Sequence, residues 1–170
     1  MGAQRLCRVR PARPHAARPF PGLVPQGAVT AGLRLEVTAA PAPADRRAIG
    51  GGLAAHNRAA HGPRLPRRQR WILARDPGGT LLGGARCRLA QGWLYLDWLW
   101  VAEARRRQGT GQALLAAAEA LAREAGCRGV HLHTWSFQAP GFYRRHGYAE
   151  AGRLEDMPPG ATRHWFAKRF

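Results

Sequence analysis

The stretch from Trp93 to Trp135 limits what this chain can become more than any other part of it. Trp93 to Val101 is an almost unbroken run of aromatic and aliphatic side chains, the pattern of a strand buried in a sheet. Gln112 to Ala125 places Leu114, Leu115, Ala118, Leu121, Ala122 and Ala125 at helical spacing, and Gly126 stands where a helix C-terminus commonly closes. Val130 to Trp135 is a strand again. Strand, helix and strand in this order call for a crossover, which places the chain in the mixed α/β class.

The flanking segments fit that class. Leu33, Leu35 and Val37 alternate with polar residues as a strand, and Pro41 to His61 reads as a helix despite Gly50-Gly51-Gly52. Trp71 to Ala74 and Thr80 to Arg88 form a hairpin about Asp76-Pro77-Gly78-Gly79, and Gln91-Gly92 turns into the strand at Trp93. After the crossover come a short helix over Ala139 to His146, a strand over Tyr148 to Leu154 and a last strand over Arg163 to Phe170.

A chain of 170 residues, 45% hydrophobic and with six Trp, supplies one domain with its core. Residues 1–32 carry five Arg and no acid among Pro, Ala and Gly, with no periodicity, and are expected to form a disordered basic extension ahead of a domain at 33–170. No apolar run reaches the roughly 18 residues that span a bilayer, so no membrane partner and a cytoplasmic location are expected. Cys7, Cys87 and Cys127 are far apart and odd in number, which argues against a disulfide framework. His131 and His133 share a strand face but lack a third ligand at useful spacing, so no metal is expected. The net charge of +17 attracts anions of every kind. Nearly every cation is Arg, Lys168 being the only Lys, as a GC-rich coding sequence would produce; charge alone therefore does not choose the partner.

Arg106-Arg107-Gln108-Gly109-Thr110-Gly111 lies between the apolar strand and the helix. A glycine-containing turn at a helix N-terminus aims successive backbone N–H groups outward, where a pyrophosphate can be held. Arg47-Ala48-Ile49-Gly50-Gly51-Gly52 has the same letters but follows no strand, so placement gives the first match its meaning.

After the crossover strand comes Ser136-Phe137-Gln138-Ala139-Pro140-Gly141-Phe142-Tyr143-Arg144-Arg145-His146-Gly147-Tyr148. The phosphate turn, its helix, the next strand and this Phe-Tyr, three residues, Gly-Tyr string together resemble the acyl-CoA-binding core of the GNAT superfamily of N-acetyltransferases. The match covers Leu94 to Tyr148. It implies a central twisted mixed sheet flanked by helices, with the strand ending at Val101 splayed from the strand at Val130 and acetyl-CoA filling the gap. By the same resemblance Leu99, Trp100 and Val101 offer backbone groups to the pantetheine arm and thioester. Arg106, Arg107, Gln108, Gly109, Thr110, Gly111 and Gln112 hold the pyrophosphate, Ser136 and Ala139 border the cofactor, and Tyr143 protonates the departing thiolate. Ser136 stands where relatives often have Asn.

The residue types suit acetyl transfer to a primary amine. An amine attacks a thioester directly, so no protein nucleophile is needed, and none of the three Cys falls in a motif. The amine must lose a proton, and Asp97, Glu103, His133, Glu155 and Asp156 are the candidate bases. Asp97 stands out because an acid in an apolar strand must be paired or exposed in a cleft, and alternation places it on the face of Leu99. Its alternative is an ion pair with an arginine. Glu155-Asp156-Met157-Pro158-Pro159-Gly160 is an acidic loop suited to a cationic amine, or else a solvated hairpin tip. Two other functions compete: a basic nucleic-acid-binding protein and an acetyl-CoA sensor, each on an inactive version of the fold. Nucleic acid is disfavoured because the aromatics sit in apolar strands instead of interleaving with the arginines. A homodimer is allowed by this reading and not required by it.

Overall fold

The computed structural model describes residues 32–63 and 66–170, so nearly all of the expected extension lies outside the described residues. By its contacts the chain divides into two units, with the boundary between Ala60 and His61. Nearly all of helix α1, Pro43–His61, belongs to the first; it runs through Gly50, Gly51 and Gly52 and buries none of its residues. The strand expected over Leu33 to Val37 does not form. Leu33 makes an isolated bridge, residues 34–38 have no regular structure, and all three apolar side chains are exposed. Alternation supplies a face, but a strand also needs an edge on which to satisfy its backbone.

The second unit holds the sheet. Strands β1 (Arg68–Arg75), β2 (Leu81–Ala90) and β3 (Trp93–Val101) form an antiparallel meander. Helix α2 (Thr110–Glu124) crosses to β4 (Gly129–Trp135), followed by α3 (Pro140–Arg145), β5 (Ala149–Leu154) and β6 (Arg163–Arg169). The six strands lie in the order β1-β2-β3-β4-β6-β5, a mixed sheet in which β3 and β4 are the parallel pair. The two hairpin turns have the chemistry their sequences call for. Asp76 accepts from the Thr80 amide at 2.8 Å, and Gln91 and Gly92 both take positive φ, 53° and 76°.

One face of the sheet is apolar. Ala85, Cys87, Leu94, Leu96, Val130, Leu132 and Phe166 pack with Leu115, Ala118 and Ala122 of α2, each Leu, Val or Phe side chain contributing about 1.5–3 kcal/mol. Lys168 closes this side: its Nζ lies 3.0 Å from both carboxylate oxygens of buried Glu119 and 3.1 Å from the His146 carbonyl, joining β6, α2 and the end of α3. Glu119 breaks the apolar spacing of α2 because it answers this cation.

The opposite face is built from arginines laid on rings. Arg86 lies 3.5 Å from the Trp98 ring centre, Arg88 4.7 Å from Tyr95, Arg163 5.3 Å from Trp135 and Arg169 5.2 Å from Trp93. The arginines of β2 and β6 thus interleave with the aromatics of β3 and β4, contrary to the linear reading. Sequence distance hides it, because the partners sit on different strands. The same stacking sets one of the protein's own guanidinium groups against each of these rings, although Trp98 stays 54% exposed.

Burial fixes the alkaline limit of stability. Cys87 is fully buried, and burial pushes its thiol from 9.0 to about 11; burial raises the Tyr143 phenol from 10.0 to about 12. Both pKa values are higher folded than unfolded, so the stability they carry is complete below pH 9 and is lost as pH rises through 11 and 12. We predict a fall in unfolding free energy above pH 9, by about 2–3 kcal/mol per group at full ionisation, at 1.36 kcal/mol per unit. Denaturant midpoints measured between pH 8 and 12 check it, and Cys87→Ala should flatten the first part of the decline.

Candidate active site

Pairing between β3 and β4 joins Leu94 to Val130, Tyr95 to His131 and Leu96 to Leu132, and stops there although both strands continue. The break coincides with an irregularity on the other edge of β3. Cys87 of β2 stands opposite Leu96 and Arg86 opposite Trp98, so Asp97 is one residue too many. A bulge of this kind bends its strand and increases its twist, and here it carries Trp98–Val101 away from β4. The expected splay is therefore present.

The bulge also corrects the expected facing of Asp97. Leu99 packs against the apolar core, whereas Asp97 turns to the arginine face, where its carboxylate pairs with Arg86 and, at 3.4 Å, with Arg88. Its side chain is 11% exposed, so two cations answer one nearly buried anion.

Beyond Val101 the chain turns through a short 3₁₀ segment, Glu103–Arg105, to Gly109, the N-cap of α2. Gly109 has φ 83°, a conformation that glycine adopts freely and a β-branched residue does not. No side chain caps α2 and its first turn holds no acid, so the amides of Thr110, Gly111 and Gln112 keep their hydrogens for an anion. The turn is braced from within: Gln108 Nε2 donates to the Ala104 carbonyl at 2.7 Å, and Arg106 Nε to that of Val101 at 3.4 Å. A Cβ on Gly111 would meet Phe142 at an ordinary 3.6 Å, so between the two glycines the backbone demand falls on Gly109.

A cleft of about 1040 Å³ occupies the splay. Of the residues expected there, Asp97, Leu99, Trp100, Val101, Arg106, Arg107, Gly109, Gly111, Gln112, Ala139 and Tyr143 line it. Three do not. Gln108 braces the turn, and the Thr110 methyl lies toward Gly83 of β2. Ser136 is a correction: its Oγ accepts from the Thr162 amide at 3.0 Å and its own amide donates to the Thr162 carbonyl at 2.8 Å, which binds the loop after β4 to the start of β6.

The cleft passes through the sheet. Gly109, Gln112, Phe142 and Tyr143 line it on the α2 and α3 side, and Asp97, Trp98, His133 and Trp135 on the arginine side. The Ala102 amide donates to Leu82 of β2 at 2.9 Å, so by alternation the main-chain groups of Leu99 and Val101 face the gap, as a thioester carbonyl requires. Tyr143 is 8% exposed, edge-on to Phe142 at 5.1 Å, and burial keeps its phenol protonated. Sequence reasoning missed Trp98, Trp135, Phe137 and Gln138. Tryptophans on strands read as core, and Gln138 reads as loop until its Oε1 is seen to accept from Thr134 Oγ and the Trp135 amide, at 2.9 and 3.2 Å.

Neither carboxylate of the acidic loop lines the cleft: Glu155 is exposed and pairs with Arg153 of β5 at 3.5 Å, and Asp156 accepts from the Gly160 amide within the loop at 3.0 Å. Met157 and Pro158 instead line a second cavity of about 470 Å³, shared with Trp135, Phe137 and Gln138.

Comparison with known proteins agrees with this fold. The model of the acetyltransferase (GNAT) family matches residues 45–148. A blasticidin-S acetyltransferase of Streptomyces morookaense is 48% identical over 91 residues, 53% of this chain and 67% of its own length. The acetyltransferase Atu2258 of Agrobacterium fabrum is 37% identical over 124 residues, 73% of this chain and 90% of its own. The crystal structure of an acetyltransferase from Bacillus cereus superposes with a TM-score of 0.70 at 32% identity, covering 79% of this chain and 98% of that one. Solved structures of the same fold include complexes with acetyl-coenzyme A and with coenzyme A.

Gly109 is the position to test. Gly109→Val forces a β-branched residue into left-handed backbone and should weaken acetyl-CoA binding by at least about tenfold, or 1.4 kcal/mol. Gly111→Ala should weaken it less. Calorimetric titration of the folded variants with acetyl-CoA decides between this ranking and an equal effect of both.

Proposed function

Because this chain belongs to the GNAT family and is an N-acetyltransferase that uses acetyl-CoA, we propose that it acetylates the primary amine of a small molecule by direct attack in a ternary complex, with Tyr143 as general acid. The observation that carries this reading is the cleft through the splayed sheet, with uncapped α2 amides and Tyr143 on one side and an aromatic opening on the other. The blasticidin-S acetyltransferase at 48% identity supports an acceptor of the antibiotic type.

Each part has a physical task. The amides of Thr110, Gly111 and Gln112, with Arg106 and Arg107 beside them, hold the diphosphate at the positive end of α2. The main-chain groups of Leu99 and Val101 receive the pantetheine arm, and an amide there stabilises the oxyanion as nitrogen attacks the thioester carbon. Tyr143 donates to the sulfur as the C–S bond breaks. With its phenol at about 12 and an ordinary thiol near 8.5, transfer to a free thiolate is uphill. Tyr143 therefore gives up its proton as it regains one from the acylated nitrogen, far the stronger acid of the two. Asp97 is paired with Arg86 and Arg88 and Asp156 with the Gly160 amide, so the cleft favours the neutral form of the acceptor, and an amine that arrives as ammonium must lose its proton there.

The test is thiol release from acetyl-CoA against blasticidin S, polyamines, aminoglycosides, amino acids and peptides. Small molecules should turn over in preference to peptides. Tyr143→Phe should lower kcat by about 10²–10⁴-fold and leave acetyl-CoA affinity intact, and an unaltered kcat would show that the phenol is not the acid.

A further inference from the structure

We propose that His133 is the base that takes the incoming amine's proton and that Tyr95 is the residue that positions its ring; this rests on the transferase reading above. An alkyl amine with a pKa near that of lysine, about 10.4, arrives mostly as ammonium and cannot attack. Among the candidate acceptors of that proton, Asp97 is spent on two arginines. Glu155 is exposed beside Arg153 of β5, Asp156 accepts from the Gly160 amide, and neither they nor Glu103 line the cleft. His146 lines the cleft beside Tyr143, its Nδ1 2.8 Å from the Phe142 carbonyl and its ring 4.4 Å from that of Phe142. His133 lines the cleft on the opposite, arginine side, where an amine entering by the aromatic opening would meet it.

Its ring is fixed. Nδ1 lies 2.5 Å from Tyr95 Oη, the two rings are near parallel at 6.0 Å, and Trp135 meets the imidazole edge-on at 5.0 Å. For Nε2 to accept a proton, Nδ1 must carry the hydrogen and donate it to Tyr95 Oη. Tyr95 Oη can accept through a lone pair with its own hydrogen turned away, and burial raises the pKa of the phenol so that it keeps that hydrogen.

The surroundings favour an uncharged imidazole. His133 faces Arg163 of β6, Arg88 of β2, and Asp97 and Tyr95 of β3, with His131 on its own strand 4.9 Å from Tyr95. Burial and the two arginines lower its pKa below 6.5, and Asp97 opposes them without prevailing. The same arginines favour the neutral form of an amine brought beside them. The proton ledger closes. The ammonium gives one proton to Nε2, its nitrogen bonds to the acyl carbon, and the C–S electron pair leaves on sulfur. Tyr143 protonates that sulfur and recovers a proton from the nitrogen, and the imidazolium releases one proton to solvent.

The test is kcat against pH for the wild type, H133Q and Y95F, with the panel acceptor that turns over fastest and acetyl-CoA affinity measured alongside. The wild type should show an ascending limb with a midpoint below 6.5. H133Q should bind acetyl-CoA normally, lose about 100-fold or more in kcat and lose the limb. Y95F should lose less and move the limb to lower pH, because the imidazolium forfeits its acceptor. H133Q that binds acetyl-CoA and keeps both rate and limb overturns this proposal alone. A wild type that binds acetyl-CoA but releases no thiol with any acceptor overturns the transferase reading with it. Ring ¹⁵N spectra of the full chain give a check that does not depend on H133Q folding: the Nδ1–H tautomer is expected, and Nε2–H overturns the assignment.

Discussion

Two parallel strands that stop pairing after three residues leave backbone hydrogen-bonding groups without partners inside a sheet, a situation that folded proteins avoid. Here it is imposed by one extra residue. Asp97 bulges β3, and a carboxylate set between Arg86 and Arg88 gives the bulge a reason to persist, since removing it would leave two half-buried cations facing each other. The cleft, the free edge at Leu99 and Val101, and the reversal that sends Leu99 to the core and Trp98 outward all follow from that insertion. The site of an N-acetyltransferase is in this sense a tolerated defect in a ladder.

What the residues disclosed in advance was local. Helix α2 could be recognised from its apolar spacing, the hairpins from Asp76-Pro77-Gly78-Gly79 and Gln91-Gly92, and the anion turn from glycines placed between a strand and a helix. Tyr143 came by another route, the resemblance carried by the string ending in Gly147-Tyr148, and its side chain lines the cleft. The failures share the opposite property. The facing of Asp97 depends on a count of residues on two strands at once, and simple alternation has no means of expressing a bulge. Ser136 is engaged by Thr162, 26 positions away. The alternation at Leu33 to Val37 was genuine, but whether a strand forms is decided by an edge elsewhere.

The basic composition also changes meaning once folded. A formal +17 suggests a surface seeking polyanions. On the face opposite α2, arginines instead serve as flat lids over tryptophan and tyrosine, a use that needs the planar guanidinium and that lysine would perform poorly. Those guanidiniums help to set the charge state of whatever shares the cleft with them, His133 included.

Lys168 is the single lysine of the chain, and its amino group is clamped by Glu119 and the His146 carbonyl. An enzyme that transfers acetyl groups to amines thus presents no free lysine amine of its own. It is poorly able to acylate itself or its copies through side chains, however concentrated the thioester.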